Sequence, residues 1–140
     1  MDPLLFLDVA MALSGSDREA DRRTSIGRSY YALFNHVRGK VQPLRFLPGN
    51  DEDHKALSFY LIKANNRDLQ SVGQFLKDLR VSRNQSDYEM NLTVEKSQSE
   101  LARAQAQMAI DKLNGVGEAM TKTFIQAVPN FVSRPRVDRD

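Results

Sequence analysis

The stretch "SIGRSYYALFNHVR" (residues 25–38) decides the fold, because its apolar residues recur at the spacing of an α-helix. They belong to a longer helix predicted from Asp17 to about Val41. One face of that helix is apolar and consists of Ile26, Tyr30, Leu33, Phe34, Val37 and Val41. A second face is polar and carries Arg28, Tyr31, Asn35 and Arg38. A helix with two such faces buries the apolar one against other helices.

The rest of the chain has the same helical periodicity and no convincing alternation typical of a strand. Further helices are predicted over Pro3–Leu13, Glu52–Ala64 and Arg67–Arg83, followed by a long helix from near Thr93 that Gly115 and Gly117 bend or end. Because short breaks separate long helices, we expect an all-α protein, an antiparallel up-and-down helical bundle of four to five helices.

The proline- and glycine-containing segment over residues 43–53 is predicted to be a loop within this bundle. Nothing in the sequence resembles an internal repeat or a linker between two domains. We therefore expect a single helical domain over residues 1–128. The polar segment after it, residues 129–140, contains two prolines and is predicted to be a flexible tail.

The composition narrows the functional classes. The chain has 140 residues, of which 41% are hydrophobic and 27% charged, a balance typical of a globular domain with a real core. The absence of cysteine excludes disulfides, a thiolate nucleophile and a cysteine-ligated zinc, and fits a cytoplasmic protein. No apolar run approaches the roughly 20 residues that span a membrane, and Asp2 stands where a signal peptide carries positive charge. We expect no membrane partner.

The charge distribution is a weak indication of a nucleic-acid partner. The chain carries 20 basic and 18 acidic residues, with a pI near 9.0. Residues 18–45 are more basic than the chain as a whole, since they contain seven arginines and lysines but only two acidic residues. A run of this kind is either a solvated helix face or a basic surface for nucleic acid.

Common catalytic signatures are missing from the sequence. It has no glycine-rich phosphate loop, and its two histidines, His36 and His54, lie in different predicted helices without metal-ligand spacing. Nothing marks a serine–histidine–acid triad. We expect His36 to be a surface or packing residue, His54 to make a structural hydrogen bond, and no metal or other cofactor to bind.

The segment "FLKDLRVSRNQSDYEMN" (residues 75–91) is the strongest local signal of a site, because an apolar helical stripe leads directly into Arg80 and Arg83. In one interpretation the helix ends here, and the arginines neutralise its last carbonyls or pair with Asp87 or Glu89. In the other, the helix continues and a polar pocket faces a phosphate or a base. The pocket would consist of Arg83, Asn84, Asp87 and Tyr88.

The adjacent tyrosines of the long helix lie on different faces. Tyr30 belongs to the apolar stripe and is expected in the core, with its hydroxyl bonded to a buried partner. Tyr31 lies beside Arg28 and Asn35. It either stacks on a nucleobase or is half-buried packing.

Residues 25–38 together with "LRVSRNQSDYEM" (residues 79–90) resemble the HEPN superfamily, more narrowly its small standalone members. The resemblance covers roughly Leu4 to Leu113. It implies a helical bundle, commonly a homodimer, and a place among RNA-cleaving toxins, phage-defence proteins and nucleotidyltransferase-linked systems. In that family, RNA is cleaved without metal by an arginine and a histidine four to six residues later. The two copies of this motif meet across the dimer seam.

The chain departs from the family at the histidine, since Tyr88 follows the Arg83–Asn84 pair where a histidine is expected. A tyrosine hydroxyl is a poor general base at neutral pH. The resemblance implies a catalytic set of Arg83, Asp87 and Tyr88 and an RNA- or nucleotide-binding set of Arg80, Asn84, Arg28 and Tyr31. It also implies an antitoxin or nucleotidyltransferase partner. The alternative is a non-catalytic dimeric interaction module in which the motif is structural.

Overall fold

The computed structural model describes residues 1–41 and 52–131, with side chains described to Val128. Within these ranges the chain is helical and contains no strand, which confirms the all-α class. The helices are α1 (Leu5–Leu13), α2 (Glu19–Val41), α3 (Asp53–Lys63), α4 (Arg67–Tyr88), α5 (Lys96–Val116) and α6 (Glu118–Phe131). None of them is both long and apolar enough to cross a membrane.

Six helices in the described ranges exceed the predicted four to five, because the last predicted helix is divided at Gly117. Gly117 follows α5 with a φ of +85°, a conformation that side-chain-bearing residues rarely adopt. α6 then extends to Phe131, so that residues 129–131 of the predicted tail are helical. The remainder of that tail, residues 132–140, and residues 43–51 of the predicted loop lie outside the described residues.

α2 is the central helix, since it packs along α1, α4 and α5, while α3 packs mainly on α4. The whole apolar stripe predicted for α2 is buried, and it belongs to one hydrophobic cluster with residues from all the other helices. Full burial of one Val, Leu, Ile or Phe side chain stabilises the fold by about 1.5–3 kcal/mol. The periodicity of α2 therefore identifies the core correctly.

Polar side chains near the starts of α1, α4 and α5 accept hydrogen bonds from backbone N–H groups. Before α1, the Asp2 carboxylate accepts a hydrogen bond from the Leu4 N–H at 2.9 Å, and Asn66 accepts one from the Leu69 N–H at the start of α4. α5 begins at Lys96, three residues after Thr93, near which its start is predicted. The cap of α5 is Glu95, whose side chain and that of Gln98 form a reciprocal capping box.

α4 continues beyond Arg83 to Tyr88, so its predicted end is too early. Arg23 of α2 donates to the carbonyl of Ser86 in the last turn of α4 at 2.8 Å, and to the carbonyls of Glu89, at 3.2 Å, and Leu92 just after the helix. The interpretation in which Arg80 and Arg83 neutralise these carbonyls is therefore wrong. A guanidinium from another helix supplies the donors that the end of α4 lacks.

α3 and α4 approach each other closely at Gly73. A Cβ atom at this glycine would lie 2.8 Å from the Cβ of Leu61 and 2.9 Å from the backbone nitrogen of Ile62. Only a residue without a side chain fits this contact. α3 and α4 are therefore in close contact at Gly73. A groove between the same two helices lies next to this contact.

Candidate functional site

Arg83 lies on the last turns of α4 and points towards α2. Its guanidinium carbon is 5.2 Å from the centroid of the Tyr31 ring and 5.9 Å from that of Tyr88. The side chain is only 21% exposed. A partly desolvated guanidinium near aromatic rings is stabilised by cation–π attraction, by about 0.5–2 kcal/mol for each ring.

The polar partners of Arg83 in the described structure all come from α4 itself. One terminal nitrogen donates to the Asn84 side-chain oxygen at 2.9 Å, and Nε lies 3.0 Å from a carboxylate oxygen of Asp87. The Nε–H nevertheless makes no well-aligned hydrogen bond, although the atom is buried. The predicted pairing with Asp87 is thus present as an ion pair, whereas the Glu89 carboxylate forms no ion pair with any described residue. A guanidinium has five N–H donors, so most of its capacity remains for an acceptor.

A second cation from α2 joins this group. The guanidinium carbon of Arg28 lies 5.3 Å from the Tyr31 ring centroid and 4.9 Å from that of Phe6 in α1. Tyr31 is half-buried between its neighbours, so the structure shows the packing role foreseen for it. Arg28 of α2 and Arg83 of α4 both contact the Tyr31 ring, so the two guanidinium groups lie beside the same ring. We call this group the Arg83 cluster; it consists of Arg28, Tyr31, Arg83, Asn84, Asp87 and Tyr88.

Tyr30 and His54 lie beneath the cluster and complete the core there. The Tyr30 hydroxyl is hydrogen-bonded to Nδ1 of His54, and the His54 ring stacks on Phe34 with centroids 4.1 Å apart. Burial raises the pKa of Tyr30 far above its ordinary value, against the opposing effect of the positive charges of Arg80 and Arg83. Tyr30 lies in the core as predicted, its hydroxyl partner His54 is half-buried rather than buried, and the structural hydrogen bond predicted for His54 is confirmed.

His36 is also a packing residue, as predicted. Its Nε2 lies 2.9 Å from the side-chain oxygen of Asn114, so it joins α2 to α5. The described residues hold no cluster of three or more His, Asp or Glu side chains with which a metal ion could be bound.

Arg80 is placed apart from the remaining predicted site residues. It is half-buried in the wall of the groove between α3 and α4, and it makes no hydrogen bond or ion pair with the described part of the chain. Asn84 lies in the same wall and also bonds Arg83. The groove and the Arg83 cluster are therefore neighbours that share one residue.

Sequence reasoning missed the other cations of this groove. Lys55 and Lys63 stand on α3 with Phe59 between them, and Lys77 stands on α4 three residues before Arg80. The spacings i, i+4 and i+8 on α3, and i, i+3 and i+7 on α4, place each set on one helix face. Those spacings are visible in the sequence, but the packing that brings the two faces together is not.

The basic run over residues 18–45 is predicted to be either a solvated helix face or a surface for nucleic acid, and several of its arginines have instead a structural role. Arg22 donates through Nε to the Val94 carbonyl at 2.7 Å, while Arg23 holds the end of α4. Arg38 pairs with the buried Asp53 at 3.2 Å. Much of the basic run is therefore used inside the fold, and only part of it remains for a ligand.

The Arg83 cluster is suited to binding an anion beside a flat ring. A guanidinium offers paired donors to a phosphate, and the Tyr88 ring is 71% exposed, so its face is accessible. Asp87 is the carboxylate that lies next to the guanidinium, within reach of a proton carried by a ligand at that position.

Comparisons with known proteins add no relative: no protein-family model, no curated protein and no solved structure matches the chain. The function must accordingly be argued from the geometry of the Arg83 cluster and from the resemblance carried by residues 25–38 and 79–90.

Proposed function

We propose that the protein is a HEPN-like member of a prokaryotic defence or toxin–antitoxin type system that binds RNA or a nucleotide at the Arg83 cluster. The observation that carries the proposal is the state of Arg83. Its side chain is four-fifths buried, and its guanidinium lies near two aromatic rings. Asp87 is 3.0 Å from Nε as an ion-pair partner, yet the Nε–H lacks an aligned acceptor. A buried, permanently charged group with spare donors is costly unless an anion completes its hydrogen bonds.

Phosphate is the anion that fits this chemistry best. Two of its oxygens match the parallel N–H groups of a guanidinium, which gives charge-assisted hydrogen bonds of about 1.5–3 kcal/mol each. Arg28 adds a second positive charge beside Tyr31. The exposed Tyr88 ring offers a stacking face for the base attached to that phosphate.

RNA cleavage without metal is a separable second part of the proposal. Asp87 takes the proton of a ribose 2′-hydroxyl, the 2′-oxygen attacks phosphorus, and the bond to the 5′-oxygen breaks. Tyr88 gives a proton to that leaving oxygen, and Arg83 neutralises the charge on phosphorus oxygens. The products are a 2′,3′-cyclic phosphate and a 5′-hydroxyl. Since a carboxylate is a weaker base than histidine, we expect slower cleavage than in family members that keep the histidine.

The second candidate function is a non-catalytic dimeric module, in which the polar motif only fixes the end of α4. Exposed apolar side chains near that end favour it. Val81, Tyr88, Met90 and Leu101 are more than half exposed in the described chain, and Val81 lies seven residues before Tyr88, on the same face of α4. Both candidates include a homodimer. They differ in whether the Arg83 cluster binds RNA, and an antitoxin or nucleotidyltransferase is the protein partner expected with the first.

The test compares Arg83→Ala with Arg18→Ala, a control that removes the same charge from a side chain that is 79% exposed and does not belong to the Arg83 cluster. Binding of fluorescent single-stranded RNA is measured by anisotropy, and cleavage is followed on gels in the presence of a chelator. We expect Arg83→Ala to weaken binding about tenfold or more, because at least one charged hydrogen bond is lost. Arg18→Ala is expected to bind like the wild type.

Equal RNA affinity in the wild type and Arg83→Ala would contradict phosphate binding at the cluster. Binding that depends on Arg83 without any cleavage would retain the binding function and remove the nuclease part. A dimer that binds no RNA would establish the interaction module instead.

A further inference from the structure

We propose that the groove between α3 and α4 binds the sugar–phosphate backbone of single-stranded RNA and leads that strand to the Arg83 cluster. The α3–α4 groove is lined by Lys55, Ser58, Phe59, Ile62, Lys63, Lys77, Arg80, Val81 and Asn84. The inference rests on the proposed function and names the form of RNA that the site takes.

The charge of the groove is strongly one-sided. Its described lining contains four cations, Lys55, Lys63, Lys77 and Arg80, and no carboxylate. Lys63, Lys77 and Arg80 form no ion pair with any described residue. The charges of Lys63, Lys77 and Arg80 along one groove are conspicuous in a chain whose net charge is only +2. Such a concentration attracts a polyanion, and each phosphate neutralised releases counterions.

The shape and the aromatic lining of the groove favour nucleotides over other polyanions. Its volume is about 710 Å³, within the range of about 300–1,000 Å³ that holds small ligands. Phe59 is half-buried in the wall between the two lysines of α3 and offers a ring for a base. Stacking requires an unpaired base, which favours a single strand over a duplex. An acidic peptide without aromatic side chains would satisfy the lysines but would leave this ring without a stacking partner.

The continuity of the groove with the Arg83 cluster gives the strand a direction. Lys77, Arg80 and Asn84 follow one face of α4 towards its end, a distance of about 10 Å along the axis. Asn84 then bonds Arg83 directly. A strand held by the lysines therefore delivers its next phosphate to the guanidinium.

The test uses the double variant Lys63→Ala/Lys77→Ala, in which both replaced side chains are exposed and the fold is kept. The control is Lys112→Ala/Lys122→Ala, which removes the same net charge from α5 and α6. The probe is a fluorescent oligouridylate of about twelve nucleotides, titrated between about 50 and 200 mM salt. We expect the groove variant to bind about tenfold more weakly, with a log–log salt slope smaller by about 1.4, or 0.7 for each lost phosphate contact. The control is expected to keep the wild-type slope.

Two further probes separate RNA from other ligands. A Phe59→Leu variant is expected to lose several-fold in affinity without a change of salt slope, because stacking and not charge is removed. A duplex of equal length is expected to bind more weakly than the single strand. An acidic peptide that competes as well as RNA, or a duplex that binds equally, would overturn the proposal.

The outcomes also separate the groove from the Arg83 cluster. A groove variant with the wild-type affinity and slope, beside a weakened Arg83→Ala, would overturn the groove and keep the proposed function. A weakened groove variant beside an unchanged Arg83→Ala would show that the groove binds RNA while the cluster does not. A wild type that binds no oligouridylate would overturn both.

Discussion

At the scale of single residues, arginines with the same chemistry have different roles because their surroundings differ. The Arg23 side chain is 11% exposed and donates to three carbonyls at and just after the end of α4, so its N–H groups already have acceptors within the fold. Arg83 is buried to a similar degree, but it has one aligned hydrogen bond in the described structure. We assign stability to the first and ligand binding to the second on this difference.

The role of Arg23 gives a stability prediction. Arg23→Ala removes the guanidinium donors from the carbonyls of Ser86, Glu89 and Leu92, and we expect the free energy of unfolding to fall by about 2–3 kcal/mol. Arg23→Lys is expected to recover only part of the loss, because an ammonium group lacks the planar fork. Urea denaturation measures both. A loss below about 0.5 kcal/mol, the size expected for an exposed arginine, would contradict this role.

The sequence predicted the residues of the site better than their contacts. The motif around Arg83 and the pairing with Asp87 follow from i, i+4 spacing on one helix. The contact of Arg28 with the same Tyr31 ring requires α2 and α4 to pack side by side, which spacing alone does not specify. The contacts of Arg22 and Arg23 with other segments were missed for the same reason, since the carbonyls of Val94 and Ser86 lie more than sixty residues further along the chain.

At the scale of helices, the end of α4 shows where local signals are insufficient. The polar stretch after Arg83 looks like a helix end, yet α4 continues to Tyr88. Arg23 donates to the carbonyl of Ser86 in this extra turn. In the segment between α4 and α5, the Val94 N–H donates to the Glu19 carboxylate at 3.1 Å. That hydrogen bond lowers the pKa of Glu19. Tertiary contacts thus extend a helix beyond the point that its own sequence indicates.

The close contact of α3 with α4 gives a prediction at the same scale. Gly73→Ala places a Cβ atom 2.8–2.9 Å from Leu61 and Ile62, and overpacking of this kind costs about 1–3 kcal/mol. The gain in helix propensity, about 1 kcal/mol, offsets only part of it. We expect a lower melting temperature, measured by circular dichroism.

The matched control is Gly39→Ala in α2, where a Cβ atom meets no other atom within 4 Å. This variant gains helix propensity without a clash, so its melting temperature is expected to rise. Equal stabilisation by both substitutions would contradict a tight contact between α3 and α4 at Gly73.

At the scale of the whole molecule, the sequence predicted the helical class and the buried face of α2, because periodicity reports burial directly. It did not predict the α3–α4 groove, whose lysines come from two helices that meet only in the fold. The groove and the Arg83 cluster together place Lys77, Arg80 and Arg83 along α4 as one basic path. We expect RNA bound to this protein to follow that path.

A nuclear magnetic resonance titration of the wild type with single-stranded RNA tests this path most directly. Arginine Nε–H groups give their own signals, so the signal of Arg83, whose Nε is buried without an aligned acceptor, reports on a bound phosphate. We expect the chemical shifts of the Arg83 and Arg80 Nε–H groups to change until the protein is saturated with RNA, while that of Arg18, outside the cluster and the groove, stays unchanged. Shifts confined to residues outside α3 and α4, with Arg83 unchanged at saturating RNA, would contradict binding at the Arg83 cluster.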